Sequence, residues 1–151
     1  MSAILIDTNV LVYTVDRGEY EKQTQAIELL NRLQPTNAGW VPVQCLSEFF
    51  VVSTRSIRGR PPLLTPMEAA LQAANLGRAF RTLDLTAPVA QEAMRGVIEH
   101  HLSFYDAQIW AAARLNQIPL LFSEDFQDGR ILESVQFVNP FAPGFNLTEW
   151  T

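Results

Sequence analysis

The stretch Ala3-Ile-Leu-Ile-Asp-Thr-Asn-Val-Leu-Val-Tyr13 opens with apolar residues and then turns abruptly polar. Residues Ala3 to Ile6 have the pattern of a short buried strand. They are followed by Asp7-Thr8-Asn9, residue types that favour helix caps and turns. The stretch therefore predicts a strand that runs directly into a helix, with a carboxylate at the junction.

The rest of the chain continues this alternation of strands and helices. Further strands are predicted at Ala38 to Val43, Phe80 to Leu83, Pro119 to Phe122 and Val135 to Val138. Between them lie helical patterns, one of which begins at Thr65-Pro-Met-Glu68, a capping box that gives Glu68 a structural role. Such alternation predicts an α/β fold with a central, mostly parallel sheet of about five strands, covered by helices on both faces.

Length and composition limit the function classes. The 151 residues suit one domain and are too few for two, so residues 1–151 are predicted to form a single domain. A single cysteine, Cys45, excludes an internal disulfide framework and fits a reducing cytosol. No apolar run approaches the ~20 residues of a membrane span and no signal peptide is visible, so we expect a cytoplasmic protein with no membrane partner.

The net charge of -5 argues against a protein that coats nucleic acid by bulk electrostatics. It does not exclude a nuclease whose metal ions neutralise the acids. A zinc site has little support, because Cys45 is accompanied only by the adjacent pair His100-His101, which cannot both point to one face of a helix. Hydrolase and nucleotide-binding glycine motifs are also missing.

Four carboxylates lie where an apolar strand gives way to a turn or where a helix begins: Asp7, Glu48, Asp106 and Asp125. Acids at the strand ends of an α/β sheet face each other across one crevice, the usual ligand site of such folds. Carboxylate oxygens gathered there would bind Mg²⁺ or Mn²⁺. The four acids are therefore candidate ligands of a divalent metal.

Each acid also has a structural interpretation. Asp7 could serve only as an N-cap, although its position directly after an apolar strand favours function. Glu48 lies on a helix that otherwise looks buried, where an unpaired carboxylate would cost several kcal/mol, so a neighbouring cation is the more economical account. Asp106 closes the Ser-x-x-Asp pattern at Ser103 to Asp106, and caps are far commoner than metal sites. Asp125 lies in a stretch rich in turn residues.

The chain resembles the PIN-domain ribonucleases of the VapC toxin type. The resemblance extends over nearly the whole length, and the segments that carry it are Ile4-Leu-Ile-Asp7-Thr-Asn-Val-Leu-Val-Tyr13, Ser47-Glu48-Phe49-Phe50, Tyr105-Asp106-Ala107, Ser123-Glu-Asp125 and Val138-Asn139-Pro140-Phe141. The opening Asp-Thr-Asn and the Asp-Ala helix start are the most specific pieces. The resemblance implies a three-layer α/β/α PIN-like domain.

The resemblance also implies roles for individual residues. Asp7, Glu48, Asp106 and Asp125 match the acidic quartet of the family, which binds one or two Mg²⁺ or Mn²⁺ ions for phosphodiester hydrolysis. Asp7, Asp106 and Asp125 are the expected metal ligands, with Glu48 and Asp128 as additional candidates. The fourth position remains open between Asp125 and Asp128. Supporting positions of the family match Thr8, Asn9 and Ser123.

Substrate handling would fall to cationic groups outside the quartet. Arg55, Arg58 and Arg60 form the only dense basic patch, in a loop with Gly59 and two prolines that could present them to an RNA backbone. The alternative is a solvated loop whose charges only keep the protein soluble. Among the aromatic residues, Trp110 is predicted to pack in the core, and none is assigned to base reading.

The sequence thus predicts a metal-dependent endoribonuclease with Mg²⁺ or Mn²⁺ as cofactor. The family resemblance implies the toxin of a type II toxin-antitoxin pair, an RNA substrate, a cognate antitoxin partner and a homodimer. Two alternatives remain: a PIN-fold module that binds nucleic acid or a partner protein without cleavage, and a structure-specific DNA nuclease.

Overall fold

Two central strands, β1 (Ile4–Ile6) and β4 (Leu120–Phe122), run side by side through the core, and every residue in them is buried. The computed structural model describes residues 1–151. Strands buried on both faces read as continuous apolar runs, which is the pattern seen in Ile4-Leu-Ile6 and Leu120-Leu-Phe122. Their burial requires helices above and below the sheet.

The remaining strands are β2 (Gly39–Pro42), β3 (Arg81–Leu83), β5 (Ile131–Leu132) and β6 (Val135–Val138). The helices are α1 (Thr8–Tyr13), α2 (Tyr20–Leu33), α3 (Val43–Thr54), α4 (Pro66–Ala79), α5 (Ala87–His100) and α6 (Phe104–Leu115), with 3₁₀ turns at Gln34–Thr36 and Leu147–Glu149. None of the helices is both long enough and apolar enough to span a bilayer.

The sheet has the strand order β3-β2-β1-β4-β6-β5, and all neighbours are parallel except β5 and β6. The connections from β1 to β2 and from β2 to β3 move in one direction along the sheet, whereas the return from β3 to β4 moves in the other. Because such crossovers are right-handed, the helices of the two sets cover opposite faces. The main helix contacts agree, since α3 packs on α1 and α4, and α5 packs on α6. This confirms the predicted α/β/α architecture.

The sheet has six strands rather than the predicted five or so. The additional strand, β5, has only two residues and pairs antiparallel with β6. A two-residue turn joins them, in which Glu133 and Ser134 both adopt positive φ values of 45° and 73°. Hairpin turns of this geometry usually contain Asn-Gly or Asp-Gly, so the sequence Glu-Ser carries no signal for it.

The predicted helix start at Thr65 is confirmed. The Thr65 hydroxyl accepts a hydrogen bond from the Glu68 amide at 3.2 Å, and the Glu68 carboxylate accepts one from the Thr65 amide at 3.0 Å. This capping box satisfies two amides at the start of α4 and lowers the pKa of Glu68 through the hydrogen bonds with Thr65. Glu68 is therefore structural, as its sequence context indicates.

The α5–α6 interface depends on a close approach at Gly96. A Cβ atom at this position would lie 2.8 Å from Cζ3 of Trp110, which is fully buried and donates its indole N–H to the Leu132 carbonyl at 3.1 Å. By contrast, a Cβ atom at Gly77 in α4 would meet only the Leu46 side chain at 3.6 Å.

We expect Gly96→Ala to lower the free energy of unfolding by about 1–3 kcal/mol, because overpacking a buried ring outweighs the better helix propensity of alanine. Gly77→Ala is the matched control and should be neutral or stabilising by up to ~1 kcal/mol. Urea unfolding followed by circular dichroism measures both. Equal effects of the two substitutions would contradict the close packing at Gly96.

Candidate metal centre

The carboxyl ends of β1 and β4 place Asp7 and Ser123 next to each other. Ile6 and Phe122 are paired in the parallel register, and the Asp7 amide donates to the Phe122 carbonyl at 3.1 Å. The next residue on each strand therefore faces the same end of the sheet. Here the Ser123 hydroxyl donates to Oδ2 of Asp7 at 2.8 Å.

Asp7 is the most buried of the four candidate acids, with only 6% of its surface exposed. Its Oδ1 accepts a hydrogen bond from the Thr8 amide at 2.7 Å, so it also serves as the N-cap of α1. Burial raises the pKa of Asp7 to about 6, despite the opposing effect of the hydrogen bonds from Ser123 and Thr8. The Asp7 carboxylate is therefore both an N-cap of α1 and a candidate metal ligand.

Asn9 and Ser123 join Asp7 to Asp125. The Asn9 side-chain amide donates to Ser123 Oγ at 2.9 Å and to Asp125 Oδ2 at 3.1 Å. The Asp125 backbone amide donates to Ser123 Oγ at 3.1 Å, and the carbonyl of the Asn9 side chain accepts from the Glu124 amide at 3.3 Å. These bonds fix the loop after β4 against the start of α1, and with it the side chain of Asp125.

Glu48 reaches the same region from α3. Its Oε2 accepts a hydrogen bond from the Thr8 hydroxyl at 3.3 Å, and its Oε1 accepts one from Gln44 at 2.5 Å. Gln108 of α6 in turn donates to Gln44 at 2.5 Å. Glu48 is half-buried, and the donors to its carboxylate are uncharged groups.

Asp106 is the third residue of α6 and is half-buried. Burial raises its pKa, and the charges of Asp125 and Glu48 raise it further, although the nearby Ser103 hydroxyl has the opposite effect. Ser103 has the extended backbone of an N-cap, but its side chain accepts no hydrogen bond from a helix amide. The capping interpretation of the Ser103 to Asp106 pattern is therefore not realised in the folded protein.

The four acids share one electrostatic environment. The charges of Asp125 and Asp106 raise the pKa of Asp7, just as those of Asp125 and Glu48 raise that of Asp106. Their exposure increases from buried Asp7, through half-buried Glu48 and Asp106, to exposed Asp125. The cluster thus opens to solvent on the Asp125 side, where a charged ligand can enter.

Asp128 and Glu124 lie in the same loop as Asp125 but have other partners. Asp128 accepts a hydrogen bond from the Asn139 amide at 2.8 Å, which ties the loop to the segment after β6. Glu124 forms an ion pair with Lys22 at 2.8 Å and also accepts a hydrogen bond from the Tyr13 hydroxyl. The bond with Glu124 raises the pKa of Lys22. Of the three acids in this loop, only Asp125 contacts the Asn9–Ser123 network through its carboxylate.

Three neighbours of the acids carry little sequence signal. Gln44 precedes Glu48 by four residues, a spacing that brings side chains together on a helix and could have indicated the contact. Gln108 reaches Gln44 only through the packing of α6 near α3. The thiol of Cys45 is fully buried 3.8 Å from Oδ1 of Asp7, and burial raises its pKa well above the usual range.

Two of the basic residues predicted to contact RNA, Arg58 and Arg60, lie on a tight hairpin that we call the basic hairpin (residues 57–60), and Arg55 precedes it at the end of α3. Ile57 and Arg60 exchange backbone hydrogen bonds of 3.3 and 2.8 Å, and Arg58 and Gly59 between them have φ values of 50° and 77°. Arg55, Arg58 and Arg60 are all exposed. The loop predicted from sequence is therefore an ordered turn.

A second cluster of potential ligands, Glu99, His100 and Glu133, lies at the end of α5 with its ligand atoms within 4.8 Å of one another. Arg95 already neutralises it, since this guanidinium contacts Glu99 at 2.6 Å and Glu133 at 3.0 Å. The hydrogen bonds from His100 and from Arg95 to Glu133 lower the pKa of Glu133. We interpret this cluster as an ion-pair network that holds the β5–β6 turn.

Among the predicted aromatic residues, Trp110 is completely buried, which confirms its place in the core. Phe104 and Tyr105 are exposed in the first turn of α6, next to Asp106, and their rings make an edge contact with centroids 5.6 Å apart. Trp40 lies beneath the guanidinium of Arg81 at 5.2 Å.

The fold and the site together define an α/β protein with a carboxylate cluster at the carboxyl edge of its sheet. A family model described as "PIN domain" matches residues 4–130, which is most of the chain. The chain therefore belongs to the PIN domain family, and the resemblance seen in the sequence motifs is confirmed. No curated protein matches it by sequence.

Solved structures share the fold at low sequence identity. VapC20 of Mycobacterium tuberculosis, a sarcin-ricin loop cleaving toxin, is 22% identical with a TM-score of 0.63, covering 87% of this chain and 98% of that one. A chain of DNA-bound VapBC from Salmonella typhimurium is 16% identical with a TM-score of 0.65, covering 91% and 97%. A toxin-antitoxin complex from Klebsiella pneumoniae contains a chain 18% identical with a TM-score of 0.64, covering 93% and 98%. At these identities the likeness establishes the fold alone.

The raised pKa of Asp7 predicts how the stability of the metal-free protein depends on pH. Because the folded protein binds this proton more tightly than the unfolded chain, stability should fall as pH rises from about 4 through about 6. The two-unit shift corresponds to at most ~3 kcal/mol. Asp7→Asn should remove most of this pH dependence.

Thermal unfolding in EDTA at a series of pH values measures the effect in the wild type, in Asp7→Asn and in Asp84→Asn, which changes an exposed acid outside the cluster. Parallel curves for the wild type and Asp7→Asn would show that this carboxylate is not the destabilising group.

Proposed function

We propose that this protein is a divalent-metal-dependent endoribonuclease whose active site is the cluster of Asp7, Glu48, Asp106 and Asp125. The observation that carries the proposal is the convergence of four acids from four separate elements on one partly open site, where the charges of their neighbours in the cluster raise the pKa of Asp7 and of Asp106. Such a cluster costs free energy unless a cation neutralises it. The PIN domain family supports nuclease chemistry.

The donor set fits Mg²⁺ or Mn²⁺. Every candidate ligand atom is a carboxylate oxygen, the type that these hard cations prefer, and no zinc-type set of imidazole and thiolate lies nearby. Cys45 is no competing ligand, because burial keeps its thiol protonated. Asp7, Asp106 and Asp125 would hold the metal. When bound, the ion would lower the pKa of a water molecule and offset the charge that develops on the phosphodiester oxygens.

The residues around the acids hold them in position. Ser123 and Thr8 donate hydrogen bonds to Asp7, and these bonds favour its ionised form against the effect of burial. Asn9 holds Asp125 toward Asp7 and so limits the loss of side-chain freedom when a ligand binds. Hydrogen bonds from Thr8 and Gln44 hold the Glu48 carboxylate in place, and we assign it the acceptance of a proton from the attacking water, with a place in the ligand set as the alternative.

The substrate we propose is RNA, with the exposed Arg55, Arg58 and Arg60 contacting its phosphates. We further propose that the protein acts as the toxin of a type II toxin-antitoxin pair, as a single-domain homodimer held inactive by a cognate antitoxin. The fold shared with chains of toxin-antitoxin complexes supports this proposal. A cytoplasmic place of action agrees with an RNA substrate and with the free thiol of Cys45.

Replacing a ligand acid should abolish cleavage. We expect Asp7→Asn, Asp106→Asn and Asp125→Asn to lower the rate on labelled RNA in Mn²⁺ by about 100-fold or more, because several kcal/mol of metal stabilisation are lost. Asp128→Asn, whose carboxylate is bound to Asn139, should remain close to the wild type and so identify the fourth acid.

The assay includes EDTA and a DNA strand of the same sequence. Cleavage that survives chelation and Asp7→Asn would refute the metal-nuclease mechanism. Cleavage of DNA in preference to RNA would indicate a DNA nuclease, whereas binding without cleavage of either strand would indicate a non-catalytic module.

The toxin proposal predicts growth arrest. Induced expression of the wild-type protein in a bacterial host should stop growth, and Asp7→Asn should relieve the arrest at an equal protein level, because the metal site is needed. Colony counts after induction, with protein levels checked by immunoblot, measure this. Equal toxicity of both proteins would separate any growth effect from the acidic site.

A further inference from the structure

A cavity of about 350 Å³ lies beside the basic hairpin, between the segment after α1 and the end of α3. Three arginines line it, Arg17, Arg55 and Arg60, together with the aliphatic side chains of Val12, Val15, Val52, Ile57 and Leu63. Arg58, at the tip of the hairpin, is not part of the lining. The cavity thus combines an apolar floor with a cationic rim.

The arginines of this rim form no ion pair within the protein, although the charge of Arg17 contributes to lowering the pKa of Glu68. The ion pairs of the fold engage Lys22, Arg95, His100 and Arg114, and no carboxylate pairs with an arginine of the cavity. Asp16 is the one acid in the lining, and its Oδ1 accepts a hydrogen bond from the Gly18 amide at 3.0 Å. The lining therefore contains three guanidinium groups and one carboxylate, in a protein whose net charge is -5.

Backbone hydrogen bonds order the loop that carries Arg55 and Arg60. Backbone hydrogen bonds between Ile57 and Arg60 close the basic hairpin, and the Leu64 amide donates to the Ser53 carbonyl at 2.9 Å, which ties the end of the loop to α3. A preorganised site loses less conformational entropy on binding.

The cavity is connected to the acids by two helices. α1 and α3 contact each other and both carry site residues, Thr8 and Asn9 at the start of α1 and Glu48 in the middle of α3. The far ends of both helices supply Val12 and Val52 to the cavity. From Glu48 to Thr54, the last residue of α3, the helix rises about 9 Å, and Arg55 follows directly. This equals roughly three steps of a stacked nucleic-acid strand.

We propose that this cavity binds one nucleotide of the substrate RNA, about two or three positions from the phosphate that is cleaved; the inference rests on the proposed nuclease function. The apolar floor receives the base, and Arg17, Arg55 and Arg60 contact the flanking phosphates. A bidentate guanidinium suits a phosphate, and an aliphatic surface suits the face of a base. The subsite fixes the register of the strand at the acids.

The test measures binding separately from cleavage. Fluorescence anisotropy with a short labelled single-stranded RNA in EDTA compares the wild type with Arg55→Gln/Arg60→Gln and with Arg32→Gln/Arg78→Gln. The second pair is exposed, lies outside the cavity and changes the net charge equally. Circular dichroism confirms that the variants fold.

We expect the cavity pair to weaken RNA binding about 10-fold at low salt and to reduce the salt-dependence slope by about 1.4, the value for two phosphate contacts. The control pair should have much smaller effects. Ile57→Ala should weaken binding of this RNA but not of an abasic strand with the same phosphates.

Equal effects of the two arginine pairs would overturn the proposal, because overall charge would then explain the binding. Equal affinity of the wild type for the RNA and the abasic strand would also overturn it. So would competition by poly-glutamate that displaces the RNA from the wild type but not from the cavity variant. Either result would indicate a site for any polyanion.

RNA cleavage in Mn²⁺ by the wild type and by Asp7→Asn is measured in a separate assay, so that the nuclease proposal and the subsite are tested independently. Failure of the nuclease proposal would appear as no cleavage by either protein. Failure of the subsite would appear as wild-type-like affinity of the cavity variant while the wild type still cleaves.

Discussion

The parallel pairing of β1 with β4 is the interaction on which the site depends. It joins residues more than a hundred positions apart and matches Ile6 with Phe122, so that Asp7 and Ser123 emerge together at the carboxyl end of the sheet. A slip of one residue would turn every side chain of these buried strands to the other face. The buried residues of both strands fix this register, and the position of the acids follows from it.

The same pairing makes the site costly in the absence of a cation. Asp7 loses most of its hydration, and the charges of Asp106 and Asp125 add to the cost of ionising it. The hydrogen bonds from Ser123 and Thr8 recover part of this cost, and Asn9 links the buried acid to the exposed one. We interpret this balance as a binding site that lowers the free energy of unfolding of the metal-free protein. Binding of a divalent ion would restore that free energy.

Opposite charges are separated along α1 and α3. Asp7 lies at the start of α1 and Glu48 in the middle of α3, whereas the arginines of the cavity lie beyond the far ends of both helices, about 9 Å from Glu48 along α3. A protein with net charge of -5 repels RNA at long range, so a local cationic surface is needed to bring a phosphate backbone to an acidic site. The arginines of the proposed nucleotide subsite would bind the RNA backbone, and the proposed metal would neutralise the acids that the cleaved phosphate approaches.

The sequence by itself determined the elements of the fold. Apolar runs such as Ile4-Leu-Ile6 and the capping box at Thr65 specify strands and helix starts through local energetics, and their order implies a parallel sheet. The strand β5 escaped prediction because two residues carry no periodicity and its Glu-Ser turn lacks glycine. The sequence also singled out the four acids, but each had a local explanation as a cap, a turn residue or part of a helix.

Only the tertiary structure showed which of these local contacts form, because hydrogen bonds and charges act across distances that the chain order does not reveal. It showed that Ser103 does not cap α6 with its side chain, that Asp128 is bound to Asn139, and that Asp125 joins Asp7 through Asn9 and Ser123. Gln108 entered the site through helix packing alone. Burial is the main cause of the raised pKa of Asp7. Asp7 becomes buried only when the sheet and its covering helices assemble, so its pKa could not be predicted from any single segment of the sequence.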